Sequence, residues 1–402
     1  METFKFLMTT TFYPPYHIGG DAVFVQYLAE ELVKRGHEVH VMSGMDSYLL
    51  KKGQISKEGI HDSGVIVHHL KSSCGIMSPL SAYIFGSSRY YTRRFSELVH
   101  KTKPDVVHHH NISLLGHPLL RKQGAYVSIH TTHDFWLICP TYGLITNKGE
   151  LCARKRCSLC TMSQRRFPKF WRYSQVFKSE VQGLDIIISP SEFFKGMLEE
   201  YIQGNARARI VHIPNFAPHP PKSISSTNFS DFFLYAGVLE RSKGVLSLVN
   251  LLKEQQVDVK LLIAGNGSLR HKIEEFIKRH NLQNKIILLG WVDHDFLYRL
   301  LHDANALIVP SICLENSPLI SLEALSVGTP VIASNNGGLP EIVGKVDQKL
   351  IFDNWSKLGD LLQCFSKKEF SSQMIRHIYE KNFSPEAHIG KYVGIIREHL
   401  DN

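Results

Sequence analysis

No run of eighteen apolar residues occurs in this chain, so the length argument excludes a membrane-spanning helix. The start, Met1 to Pro15, lacks the charged, apolar and cleavable order of an export leader and reads as a buried strand followed by a proline turn. Seven cysteines without the regular arrangement of an extracellular disulfide framework suit a reducing compartment, and a cytoplasmic setting is expected. There is no detectable internal repeat and no recognised nucleic-acid module, and no full Gly-x-Gly-x-x-Gly follows the first predicted strand. Charge is not balanced: the net value is +9 and the pI is near 9.0, which favours anionic partners in general. Nucleic acid is not expected among them, because the basic residues are scattered or confined to one arginine-rich patch.

What the chain does have is length and a rhythm. At 402 residues, 43% of them apolar, it can bury two cores. Short apolar runs at Phe4–Thr9, Glu38–Ser43, Val65–His69, Asp105–His109, Tyr126–His130, Leu184–Ser189 and Arg209–Ile213 alternate with helical stretches over residues 1–213. The first of those helices is expected to be capped by Asp21, to bury Val25, Leu28, Ala29, Leu32 and Val33, and to end at Gly36. Prolines and serines in 214–230 read as a linker. A second set of runs, Phe232–Ala236, Lys260–Ala264, Lys285–Leu289, Ala306–Val309 and Pro330–Ser334, fills 231–384. Continuous apolar strands between helices imply a parallel sheet covered on both faces, so the fold class is α/β with two doubly wound domains.

The most informative segment is Glu315 to Val343. Ser317 can cap a helix and Pro318 fits its first turn, where a missing N–H costs nothing; the unpaired donors of that turn make an anion site. Eight residues after Glu315, Glu323 sits among Leu319, Ile320, Leu322, Ala324 and Leu325, too apolar a company for a surface carboxylate. Such a group needs donors, which a ribose diol would supply, while Glu315 could take sugar hydroxyls. Further on, Asn336-Gly337-Gly338 leaves room for a ligand at the backbone. Two surface glutamates on a plain strand-helix-strand unit are the bland alternative.

This segment resembles the donor-site signature of the retaining family 4 glycosyltransferases, and the resemblance covers nearly the whole chain. It implies the GT-B fold, two Rossmann-like domains facing a central cleft, with a helix over 385–402 crossing back onto the first domain. It also implies transfer of a hexosyl-type sugar from a nucleotide diphosphate sugar to an acceptor hydroxyl with retention, without a catalytic cofactor or metal. A glycan, glycolipid or small-molecule acceptor and a setting in surface polysaccharide or glycolipid assembly follow as expectations of the family. Asn316, Ser317, Pro318 and Leu319 would hold the diphosphate, Glu323 the ribose, and Glu315 the sugar hydroxyls. A non-hydrolysing nucleotide-sugar epimerase, a two-domain dehydrogenase and a catalytically silent nucleotide-binding protein are the alternatives.

Other constellations fit around that segment. Gly237 ends a strand and leads through Val238, Leu239, Glu240 and Arg241 to Lys243-Gly244 at a helix start, where a lysine can meet a diphosphate. One preorganised donor placed where charge develops is typically worth roughly 3 to 4 kcal/mol. The family pattern puts an arginine directly after the glycine, and this chain has Val238; either Arg241 swings in, or Lys243 and helix N–H groups suffice. Gly265-Asn266-Gly267 and Gly290-Trp291-Val292 follow strands and suit the phosphate and base side of the pocket. Gly19 and Gly20 offer close backbone approach to the leaving phosphate or the acceptor, or are simply a tight turn.

In the first half, His133 in His133-Asp134-Phe135-Trp136 matches by resemblance the histidine that contacts the transferred sugar, with His130 a competing alignment. His108, His109 and His110 cannot converge on a metal, because successive strand residues face opposite ways. Cys139, Cys152, Cys157 and Cys160, in a loop that also carries Arg154, Lys155 and Arg156, could hold a structural zinc or remain reduced thiols. Gln164 to Lys178 mixes Arg165, Arg166, Lys169, Arg172 and Lys178 with five aromatic side chains, which suits peripheral contact with an anionic membrane, or a helix packed on the domain with a basic outer face.

Overall fold

A computed structural model of the chain describes residues 3–52, 63–146, 152, 156–202 and 208–401. The chain divides into two compact units, Met1–Ile213 with Ile389–Asn402, and Pro214–His388. Each unit is a doubly wound α/β domain, the Rossmann-like architecture that makes up a GT-B protein.

The first unit holds seven strands: β1 Lys5–Thr10, β2 Glu38–Gly44, β3 Ile66–Leu70, β4 Val106–His109, β5 Val127–Thr131, β6 Ile186–Ser189 and β7 Arg209–His212. Their order is β3-β2-β1-β4-β5-β6-β7 and every pairing is parallel, with Phe6 of β1 opposite Val39 on one side and Val106 on the other. Parallel neighbours need crossovers, and these helices supply the cover: Gly20–Lys34 buries Ala22, Phe24, Val25, Leu28, Ala29 and Leu32. Each fully buried Leu, Val or Phe contributes about 1.5–3 kcal/mol, which is why both faces of β1 are closed. Asp21 does not cap this helix. It lies inside the first turn behind the cap residue Gly19 (φ +86°), and its carboxylate accepts from Asn111 Nδ2 at 2.8 Å.

The second unit has six: β8 Phe232–Ala236, β9 Lys260–Ala264, β10 Ile286–Gly290, β11 Leu307–Val309, β12 Val331–Ser334 and β13 Ile351–Phe352, in the order β10-β9-β8-β11-β12-β13. Leu234, Leu262, Leu307 and Ile332, from its four inner strands, are wholly buried. Residues 214–230 are counted with this unit: Ala217 joins its core, Tyr379 donates its hydroxyl to the Ala217 carbonyl at 2.9 Å, and Thr227 donates to Asp303 at 2.9 Å. The last helix, Pro385–Leu400, passes into the first unit from Ile389 on; there Tyr392 is wholly buried, its ring against Phe6 and its hydroxyl 2.8 Å from His108 Nδ1. Among the described residues no helix is long and apolar enough to cross a membrane.

Strand order reverses between β1 and β4 in the first unit and between β8 and β11 in the second. Connections leave such a point in opposite directions, so the carboxyl ends of the two strands are left uncovered and form the place where open α/β sheets take ligands.

Candidate active site

At the reversal point of the second unit, β8 runs out through Gly237 to a 3-10 turn, Arg241–Lys243, and β11 runs out to a loop that carries Ser311, Cys313 and Glu315. Two backbone bonds tie turn and loop together: Ile312 and Cys313 donate their N–H groups to the Ser242 carbonyl at 2.8 and 3.0 Å. This join brings Lys243 Nζ to 2.6 Å from Glu315 Oε1, and Ser311 Oγ donates to the same oxygen at 2.6 Å. Burial works against the Lys243 ammonium, but the Glu315 carboxylate outweighs it and raises the lysine above its ordinary value. Cys313, its sulfur 3.8 Å from Glu315, is pushed up to about 11 by burial and by that same charge, so it remains a thiol. Arg241 is exposed on the turn, as is Val238.

The glycines here have a different task from the one the sequence suggests. A Cβ on Gly337 (φ +66°) would sit 2.1 Å from the Glu315 carbonyl oxygen, and Gly338 donates its N–H to that oxygen at 2.7 Å. The space at Asn336-Gly337-Gly338, expected to admit a ligand, is filled by the Glu315 backbone, with Asn336 Nδ2 holding the Ser311 carbonyl at 2.7 Å. Gly265 (φ +134°) makes the same kind of contact, since a Cβ there would meet the Gly237 carbonyl at 1.9 Å. Only bare backbone lets these loops close on one another.

The helix Leu319–Ser326 starts one residue later than expected. Pro318, with extended ψ, is its cap residue, and no side chain caps it. Ser317 therefore stands one position too early to reach the first-turn N–H groups, and its hydroxyl is buried without a hydrogen-bond partner. The result is a helix start with its donors uncapped by protein and an orphaned hydroxyl beside them, which an anion would satisfy. On this helix Glu323 is 6% exposed, 3.3 Å from His294 Nε2. Burial opposes protonation of His294, yet the hydrogen bond and charge of Glu323 prevail and raise it.

Four residues here escaped the sequence reading: Ser311, Cys313, His294 and Arg270. Arg270 opens the helix Arg270–Arg279 and donates to Asn266 Oδ1 at 2.6 Å, within 3.0 Å of where a Gly290 side chain would start. A cation in a first helical turn opposes the macrodipole, and that anomaly after Gly265-Asn266-Gly267 was a signal available in the sequence.

In the first unit the reversal point carries Asn111 and the histidines. The three in a row divide as strand alternation requires: His109 bonds Thr9 Oγ1 at 2.8 Å on one face, while the tilted rings of His108 and His110 lie with centres 3.9 Å apart on the other. His110 Nδ1 lies 2.9 Å from His133 Nε2. His133 is half-buried just beyond β5, whereas His130, within β5, is buried with Nδ1 unpartnered. Burial drives His110 and His130 well below the ordinary histidine value and His109 to about 3, so all three are neutral. His110, Asn111, His130, His133, Asp134 and Trp136 line a small recess. Asp134 accepts from the Trp136 N–H at 2.8 Å, and burial pushes its carboxyl up to about 7.

In the arginine-rich region one expectation changes, the outward placement of its basic residues. Among the described residues no three His, Cys, Asp or Glu side chains gather as a metal would require. Cys139, Cys152, Cys157 and Cys160 form no disulfide: Cys139 pairs with Thr141 at 3.2 Å and Cys160 with Gln164 at 3.3 Å, and burial, with the neighbouring thiols of Cys139 and Cys152, raises Cys157 and Cys160. Arg154 and Lys155 lie outside the described residues. Within Gln164–Lys178, Lys169 (3% exposed) and Arg172 (6%) point inward rather than outward. Lys169 donates to the Pro140 carbonyl at 2.9 Å and lies over the Tyr83 ring, and burial lowers it to about 7; Arg172 donates to the Trp136 carbonyl and lies against Trp171 and Phe177.

Comparison with known proteins bears on the family and the fold. Residues 18–218 match the family described as Glycosyltransferase Family 4, and residues 222–380 match Glycosyl transferases group 1. The chain is 27% identical over 357 residues to an uncharacterised glycosyltransferase of Methanocaldococcus jannaschii, covering 84% of this chain and 82% of that one. It is 27% identical over 360 residues to a glycogen synthase of Mycobacterium tuberculosis, covering 84% and 80%. The solved sucrose-phosphate synthase of Thermosynechococcus elongatus superposes with a TM-score of 0.74 over 99% of both chains at 19% identity, a likeness of fold.

Proposed function

The chain belongs to glycosyltransferase family 4, whose members move a sugar from a nucleotide-sugar donor to an acceptor, and on that premise we propose a retaining transfer of a hexosyl-type sugar from a nucleotide diphosphate sugar to an acceptor hydroxyl. The observation that carries the reading is the Lys243–Glu315 pair at the reversal point of the second sheet, beside a helix start that no side chain caps and the orphaned Ser317 hydroxyl. An ammonium, helix N–H donors and a hydroxyl are what a diphosphate binds; a carboxylate beside them accepts from sugar hydroxyls.

In this reading Lys243, Asn316, Ser317, Pro318 and Leu319 receive the diphosphate, with Gly237 and Gly265-Asn266-Gly267 lining its path and Arg241 free to approach. Arg270, bonded to Asn266, adds a second cation beside the nucleotide. Glu315 accepts from the sugar, and the buried Glu323 accepts from ribose. As the glycosidic bond to the donor breaks, negative charge grows on the phosphate oxygens, and Lys243 and the helix donors stabilise it more than they stabilise the intact donor. The acceptor hydroxyl attacks from the same face, and the departing phosphate takes its proton. His133, with Gly19 and Gly20, is assigned to the transferred sugar and the acceptor through the family resemblance. No residue role requires a metal. The acceptor is a glycan, glycolipid or small molecule, in polysaccharide or glycolipid assembly, with peripheral contact at an anionic membrane.

The test is a panel of UDP, GDP and ADP sugars, read by donor hydrolysis and by protection against thermal unfolding. One donor at a hundred times its Kd should stabilise the fold by about 2.7 kcal/mol, and Glu323→Ala should abolish the protection. Protection by none of the donors, or equal protection in Glu323→Ala, would defeat the assignment. Release of free nucleoside diphosphate separates transfer from epimerisation.

A further inference from the structure

From Leu151 to Ser179 the sequence carries eight Lys and Arg residues and not one Asp or Glu. The next acid, Glu180, is buried and bonded to His117 and to Arg121, so its charge is already answered. The same stretch leaves Leu159, Met162, Phe167, Phe170, Tyr173 and Val176 between 50% and 65% exposed. Single exposed apolar residues need no explanation, but six within eighteen consecutive positions do.

The fold joins two of the elements that carry them. The helix Cys157–Ser163 carries Leu159 and Met162, and the 3-10 turn Phe170–Tyr173 carries Phe170 and Tyr173. Ser158 Oγ and the Tyr173 hydroxyl are 3.1 Å apart, which joins helix to turn. Trp171, Phe177 and the inward Arg172 pack together, so the turn has a fixed base and its outward rings are not waiting to collapse onto the domain. Arg156, Arg165, Arg166 and Lys178 are exposed in the same stretch.

We propose that this face of the first unit, the helix Cys157–Ser163 with the segment Arg165–Lys178, docks on an anionic lipid bilayer. The inference rests on the peripheral contact named in the proposed function and not on the donor chemistry. Exposed rings and aliphatic side chains enter the headgroup boundary, where amphipathic groups lose the least, while the cations stay at the level of the lipid phosphates. Neither feature suffices alone. Cations without acids would draw any polyanion, and apolar groups without cations would not choose an anionic leaflet. Each cation held at such a surface is worth about a fivefold gain in partition, so four of them separate anionic from neutral vesicles by a few hundredfold at low salt.

The experiment is flotation of the full chain with phosphatidylcholine vesicles and with vesicles that contain phosphatidylglycerol. The expected result is strong binding to the anionic vesicles, weak binding to the neutral ones, and release at high salt. Arg165→Glu with Arg166→Glu should lower anionic binding about twenty-fivefold or more. Phe167→Ser with Phe170→Ser should weaken it at least tenfold while leaving the salt dependence in place. Thermal unfolding and donor protection report whether each variant is folded; should the Phe pair fail to fold, Val176→Ser with Leu159→Gln tests the same face. No binding of the wild-type chain to anionic vesicles sinks both this inference and the membrane contact. Binding that survives all the variants keeps the contact and overturns the face. Equal affinity for a soluble polyanion of matched charge overturns the lipid assignment.

Discussion

Lys243→Met is the most searching single change. The side chains are close in length, so the substitution keeps much of the packing of the turn Arg241–Lys243 and removes only the ammonium. That ammonium is 2.6 Å from Glu315 Oε1 in a loop fixed by two backbone bonds to Ser242, so it is a preorganised charge and not a searching one. A preorganised donor at the site of developing charge is worth about 3–4 kcal/mol, which predicts a fall in kcat of about 10²–10³. KM for the donor should move far less, because the growing charge of the departing diphosphate, more than that of the bound donor, depends on this group. Part of any loss of stability will come from Glu315, 11% exposed at its side chain and left with the Ser311 hydroxyl and the Cys313 thiol. The double variant Lys243→Met with Glu315→Gln should recover that stability without recovering kcat. Arg241→Met is the comparison: the guanidinium is exposed at the other end of the turn, so its loss should cost less than that of Lys243. Steady-state kinetics with saturating acceptor, alongside urea unfolding, measure both quantities. A folded Lys243→Met enzyme within fivefold of wild-type kcat, or a larger effect from Arg241→Met, would refute the assignment of the catalytic cation.

Two further outcomes follow from the first unit. His110 and His133 share a hydrogen bond of 2.9 Å, so His110→Phe should cost kcat about tenfold by loosening the His133 ring, while donor protection measured by thermal shift stays within error; His110→Asn, which keeps a polar partner, should recover part of the loss. His109 is wholly buried and depressed to about 3, so the unfolded chain binds its proton first; its contribution to stability is complete above pH 6.5 and is lost as the pH falls toward 3. Between pH 6 and 4 the wild type should therefore lose about 1.4 kcal/mol per pH unit relative to His109→Gln, a difference in which the opposing effects of Asp21 and Asp134 cancel. A constant difference in urea unfolding free energy over that range would contradict this.

Much of the scaffold is legible because strands buried on both faces must be apolar throughout. Phe232–Ala236 and Lys260–Ala264 are read to the residue, and β1 and β4 within one. β13 escapes, since Ile351–Phe352 is two residues long and no period can be read from two. Around the site the sequence names Glu315, Glu323, Lys243 and His133, but it misjudges the local geometry that depends on a neighbour. Ser317 fails as a cap because Pro318 takes the cap position. Gly337 serves the Glu315 carbonyl. Lys169 and Arg172 turn inward because carbonyls at Pro140 and Trp136 and the rings of Tyr83 and Trp171 offer them more than water does.

Sequence by itself therefore determined the class of the fold, the two sets of strands and the chemical types gathered in the segment Glu315–Val343, because hydrophobic period, glycine and proline act locally and leave their marks within a few residues. Tertiary structure alone decided which groups meet. Lys243 and Glu315 are 72 residues apart in the chain, and His110 and His133 are 23 apart. They touch because strand order reverses beside β8 and beside β1, a property of sheet topology that no single segment encodes.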